Sequence, residues 1–210
     1  MSLEKLQDYL PPNTLSHIQL LLSSHKVIIR ITNPRKTRLG SFNAQRGLGK
    51  PIICVSKDLN AYAFLITLIH EIAHLKVWAY HNKRRLPHGT EWKKIFIELL
   101  FPMIEQDVFP ADVKEAVIRY LKNPKASTSA DVKLDKALKN YNTHSKPEGL
   151  VTIEEIPDGS NFIWRTNRVF QKQYKIRKRY RCIELKTKRI YIFSPIAEVV
   201  LVEELNQTEI

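Results

Sequence analysis

Residues 61–80, AYAFLITLIHEIAHLKVWAY, run for twenty positions without a proline or glycine. Asp58 and Asn60 stand just ahead of the run as capping residues, so it reads as a long helix. Within it His70, Glu71 and His74 spell H-E-x-x-H. At about 100° per residue, His74 lies about 40° from His70 and one turn above it, so both rings leave the helix on one side and can reach one ion. Phe64, Leu65, Leu68, Ile72, Leu75 and Ala79 fall on the opposite side and form the main apolar stripe. Ala63, Ile66 and Val77 lie near the histidines, which implies a dry-walled cleft rather than an open surface. Glu71 is rotated about 100° from His70, flanking the pair where a general base would stand.

The pentapeptide alone would arise by chance in about one chain in forty of this length, so a third ligand is needed. His81, seven residues after His74, would sit about 10.5 Å further along a continuing helix, too far to share the ion. His88 is the better candidate, since Pro87 and Gly89 bracket it in a turn before the next helical run, EWKKIFIELLFPMI. Glu91, Glu98 and Glu105 on that run are competing carboxylates. Trp92 falls with Ile95, Phe96 and Leu99 on a helical stripe and reads as core. Tyr80 or a basic residue is available to stabilise an oxyanion.

With 210 residues, 43% apolar and 26% charged, the chain is long enough for one sizeable core and a smaller appendage. Two short helices are expected over EKLQDYL and NTLSHIQLLLSSH, then strands over KVIIRIT, over RKTRLGSF ending near Gly40, and over PIICVS. A last helix is ADVKEAVIRYLK. The polar stretch 123–149, with Pro, Ser and Gly, reads as a linker with room for a short helix over 130–138. Beyond Leu150, runs such as NFIWRT, YRCIEL, RIYIF and AEVVLVE predict an antiparallel β-meander. The expected organisation is therefore α+β, with domains at 1–122 and 150–210.

The formal charge of +13 is concentrated in two places. Eight Lys or Arg and no acid occupy Lys26 to Lys57, and eleven Lys or Arg against Glu184 alone occupy 164–189. Such clusters suit phosphate backbones, so DNA is an expected partner, contacted through Arg165, Arg168, Lys175, Arg177, Lys178, Arg179 and Arg181. Trp164, Phe170, Tyr174 and Tyr180 interleave the second cluster and are available to stack on bases, although aromatics at strand spacing are more often core. No secretory signal or membrane span is visible, which favours a cytoplasmic location, and Cys54 and Cys182 are expected as reduced thiols, with Cys54 buried.

LITLIHEIAHLKVW followed by HGTEWKKIF, with RKTRLGSFN and PIICVSKDLN upstream, resembles the SprT-like zinc metallopeptidases, to which the Spartan proteases belong. The resemblance covers roughly residues 10–122. It implies a zincin-like fold, one Zn2+ held by His70, His74 and His88, Glu71 as general acid/base, and a protein substrate that in several relatives is crosslinked to DNA. Many such proteins end in a zinc ribbon with paired cysteines, whereas this chain keeps only Cys182 there, so no second zinc is expected. The alternative is a non-catalytic DNA-binding protein with a structural zinc, which would need a fourth ligand and no base.

Overall fold

The computed structural model describes residues 3–35, 38–44, 49–80, 86–142, 149–164 and 167–202. The chain divides into two compact units, Met1–Thr143 and His144–Ile210, giving the expected α+β class with two separate sheets.

In the first unit a 3-10 helix, Leu3–Tyr9, and α1, Leu15–Leu22, lead into β1, Ile28–Thr32. β2, Gly40–Asn43, and β3, Ile52–Ser56, complete a three-stranded sheet in the order β1-β3-β2. β3 is parallel to β1 and antiparallel to β2, which leaves β2 as an edge strand. The sequence pattern puts the end of the second strand near Gly40; the strand begins there instead, because Gly40 to Asn43 are the residues that pair with β3.

α2, Ala61–Tyr80, follows β3 after a four-residue turn. Asn60 caps it, its Oδ1 accepting the Ala63 N–H at 3.0 Å, whereas Asp58 accepts the Ser56 hydroxyl. The first three-quarters of α2 is buried on nearly every side, including Ile66, Ile69 and Ala73, and it forms the centre of the unit's core. α3, Thr90–Glu105, and α4, Ala111–Leu121, complete the framework.

The stretch expected as a linker from 123 belongs to the first unit as far as it is described. A 3-10 turn, Thr128–Ala130, leads into α5, Val132–Lys139, whose N-cap Asp131 accepts the Leu134 N–H at 3.2 Å. Leu134, Ala137 and Leu138 enter the main core. Burying Leu134 contributes roughly 2 kcal/mol, which opposes the entropy of ordering the segment. Asn60 fastens the same segment to the start of α2, donating through Nδ2 to Leu138 O and to Asn142 Oδ1, both at 2.8 Å.

The second unit is an antiparallel sheet in the order β4-β9-β5-β6-β7-β8. Its strands are Leu150–Thr152, Asn161–Trp164, Arg168–Ile176, Arg179–Glu184, Ile190–Phe193 and Glu198–Leu201 for β4 to β9. β5 to β8 make the expected meander, and β9 returns to lie between β4 and β5. Phe162, Phe170, Tyr180, Cys182, Phe193 and Val199 fill its core. Cys182 is a buried free thiol; Cys54, on β3, is also free but only half-buried, because its side chain lies on the less covered face of that strand. Among the described residues no helix is long and apolar enough to cross a membrane.

Candidate metal centre

The middle of α2 carries His70 and Glu71, both buried, and half-buried His74 one turn later. His88 arrives from the turn before α3. Leu86 to Gly89 close that turn through the Gly89 N–H donating to Leu86 O at 3.1 Å, with Pro87 at the second position. His88, at the third, has φ +61°. That is a type II turn, whose third position normally carries glycine or asparagine. An L-residue held there costs roughly 1–2 kcal/mol.

The geometry brings the three rings together. One nitrogen from each of His70, His74 and His88 lies within 4.8 Å of the others. His88 Nε2 is 3.1 Å from His70 Nε2 and 3.0 Å from His74 Nε2. Nitrogens bound tetrahedrally at about 2.0 Å from a zinc ion stand about 3.3 Å apart, close to this spacing, so the donor set fits a single divalent ion. Among the described residues this is the one such group of His, Cys, Asp or Glu. Glu98 and Glu105 are exposed on α3 and Glu91 is not in the group, while His81 lies outside the described residues. Tyr80 is the last residue of α2, about 9 Å along the axis from His74, and its exposed ring sits beside His25.

Burial sets the protonation of the cluster. It lowers His70 to about 3, helped by His74 and His88, and lowers His74 to about 4, helped by His88. Burial also lowers His88. All three imidazoles are therefore neutral near pH 7, the form that binds metal. Glu71 moves the other way: burial raises it to about 8, against the opposing charge of Arg38 and the Phe42 backbone N–H. A carboxyl group in that range can both accept and release a proton near neutrality.

Two residues that periodicity alone left in the background shape this site. Trp92 reads as core and is 1% exposed, yet its ring centroid lies 4.5, 5.4 and 4.8 Å from those of His70, His74 and His88. Its Nε1–H donates to His70 O at 3.4 Å, and Phe96 stacks behind it at 4.9 Å. One indole thus backs all three imidazoles. Gly40, the first residue of β2, is the second: a Cβ there would stand 2.7 Å from Glu71 Oε1 and 2.7 Å from Thr67 Cγ2. The missing side chain lets the edge strand meet the carboxylate.

The expected nucleic-acid residues lie in the second unit and have divided roles. Lys175, Arg177, Lys178 and Arg179 are exposed around the turn between β6 and β7, beside exposed Tyr174, and Arg181 lies over the Tyr174 ring at 5.7 Å. Arg168 instead donates to Glu184 Oε1 and to the Tyr191 hydroxyl, both at 2.6 Å. Arg165 lies outside the described residues. Of the aromatics considered for stacking, Phe170 and Tyr180 are buried and Trp164 packs edge-on against Phe193, which leaves Tyr174 exposed.

No curated protein and no solved structure matches the chain. Residues 13–114 match the SprT-like family, and they span α1, the three-stranded sheet, α2, the His88 turn and α3. The part of the chain that carries the histidine triad and Glu71 is therefore the part that matches the SprT-like family.

Proposed function

We propose that this protein is a single-zinc endopeptidase with a zincin-like active site. The observation that carries the reading is the convergence of three neutral imidazoles on one point beside a buried carboxylate. Zinc held by three protein ligands supplies Lewis-acid activation of a water at its remaining position. The residues of the chain do the rest. His70, His74 and His88 would hold the ion, and the Trp92 indole packs against all three of their rings. Glu71, aligned by the Phe42 N–H and by the space over Gly40, takes the proton of the attacking water and delivers it to the leaving amine. β2 offers a sheet edge along which an extended substrate can add as a further strand.

A protein substrate associated with DNA is the second part of the proposal. It rests on the exposed cations Lys175, Arg177, Lys178 and Arg179 around one hairpin turn with Tyr174 beside them. Neutralising those four residues should lower DNA affinity. It should also flatten the slope of log affinity against log salt by about 0.9 for each phosphate that the chain no longer neutralises.

The direct test of the peptidase reading is cleavage of an unfolded protein by the zinc-loaded chain and its Glu71→Gln variant. The expected result is hydrolysis by wild type and none above background by the variant, with zinc content equal in both. Equal hydrolysis by both would remove Glu71 from the mechanism. Zinc retained with no hydrolysis by either would favour the structural-zinc alternative.

A further inference from the structure

Beside Glu71 and His70 the first unit holds an open cavity of about 480 Å³, within the range of ligand pockets and the size of a few peptide side chains. One wall is the N-terminal half of α2, through Ala63 and Thr67 to the reacting centre. The facing wall is Ala126 to Ser129 with the C-terminal end of α5. That wall lies beyond residues 13–114, outside the part of the chain that matches the family. Asn60 holds it in place through its bonds to Leu138 and Asn142.

The charges around the cavity are unequally matched. Three acids line it: Asp58 accepts the Ser56 hydroxyl at 2.6 Å, Asp135 pairs with Lys139 at 3.4 Å, and Glu71 is the buried carboxyl group of the reacting centre. Arg35 and Arg38, on the rim, form no ion pair among the described residues. Arg35 reaches only the Thr32 hydroxyl, at 3.4 Å, and Arg38 lies within electrostatic range of Glu71. Two guanidinium groups with no carboxylate paired to them among the described residues therefore border a cleft that opens onto the reacting centre. Guanidinium recognises a carboxylate through paired N–H donors, and a chain of net charge +13 draws acidic segments toward it.

We infer that this cleft is the substrate-selecting subsite and that it takes an aspartate or glutamate side chain of the peptide, held by Arg35 and Arg38. The inference rests on the peptidase reading but can be tested apart from it. Zinc-loaded Glu71→Gln protein would be titrated with fluorescent peptides that differ only in one residue, Glu or Gln, at each position along the chain. Replacing Gln by Glu at one position should tighten binding by about tenfold at low salt. Arg38→Glu, and the double variant Arg35→Glu/Arg38→Glu, should erase that preference with zinc content and thermal melting unchanged. Both residues are exposed, so neither substitution disturbs the core.

Equal binding of Glu and Gln peptides at every position would overturn the inference, as would a preference that survives both variants. Binding of a short single-stranded DNA that is lost in the same variants, without any preference for acidic peptides, would also overturn it and assign the cleft to nucleic acid. If wild type cleaves no peptide while the Glu preference and its loss are observed, the subsite stands as a binding site and the peptidase reading fails.

Discussion

The two units withdraw ionisable groups from water in opposite ways. In the second, Lys172 is 3% exposed, yet its Nζ donates to Ile156 O at 2.6 Å, pairs with Asp158 at 3.2 Å and lies 4.1 Å from the Tyr180 ring centre. Glu184 is likewise buried and is met by Arg168 and by the Thr187 hydroxyl. Each of these buried charges has its opposite. In the first unit three imidazole nitrogens are buried or half-buried against one another, and their lone pairs share a common target. Matched burial builds a scaffold, whereas convergent burial builds a site.

The largest effect that would break this contrast is chemical. Glu71→Gln should lower peptide hydrolysis by about 10²–10⁴-fold with zinc retained, measured as turnover and metal content on the same sample. Gly40→Ala should follow at about 10²-fold, because the new methyl group displaces the Glu71 carboxylate and not the imidazoles. Its signature is lower kcat with zinc content unchanged.

The second unit answers to stability rather than turnover. Lys172→Met keeps most of the volume but strips the Ile156 carbonyl of its donor, and should destabilise that unit by about 1–3 kcal/mol in denaturant unfolding. Zinc content should be untouched. The smallest effect is on pH dependence. Hydrogen bonds from Arg168 and Thr187 hold Glu184 at about 2, well below its ordinary 4.5. A carboxyl group with a lowered folded pKa adds stability above its unfolded value and loses it as pH falls toward the folded one. The second unit should therefore weaken between pH 4.5 and about 2, and Glu184→Gln should remove that part of the acid dependence.

What the sequence made legible followed from local geometry. His70, Glu71 and His74 are fixed by helical spacing, and Pro87 and Gly89 mark the turn that brings His88 back. What it concealed depends on contacts between distant segments. Trp92 obeys the core stripe of α3 and nothing in that stripe shows that its other face meets three imidazoles. Gly40 reads as a strand end until the clash of an absent Cβ with Glu71 is measured in space. The docking of α5 was obscured because its apolar triplet, Leu134, Ala137 and Leu138, is short and set among lysines and serines. Lys172 is one of eleven basic residues in its segment, and counting charge cannot tell a buried cation from a solvated one.

The central claim is that His70, His74 and His88 together hold one metal ion while Glu71 stands beside it as the base. Its most direct test is zinc titration of the metal-free chain, comparing wild type with His88→Ala and Glu71→Gln. The account predicts one zinc per chain for wild type and for Glu71→Gln at similar affinity, and loss of tight binding in His88→Ala. Undiminished zinc affinity in His88→Ala, or loss of the metal in Glu71→Gln, would contradict it.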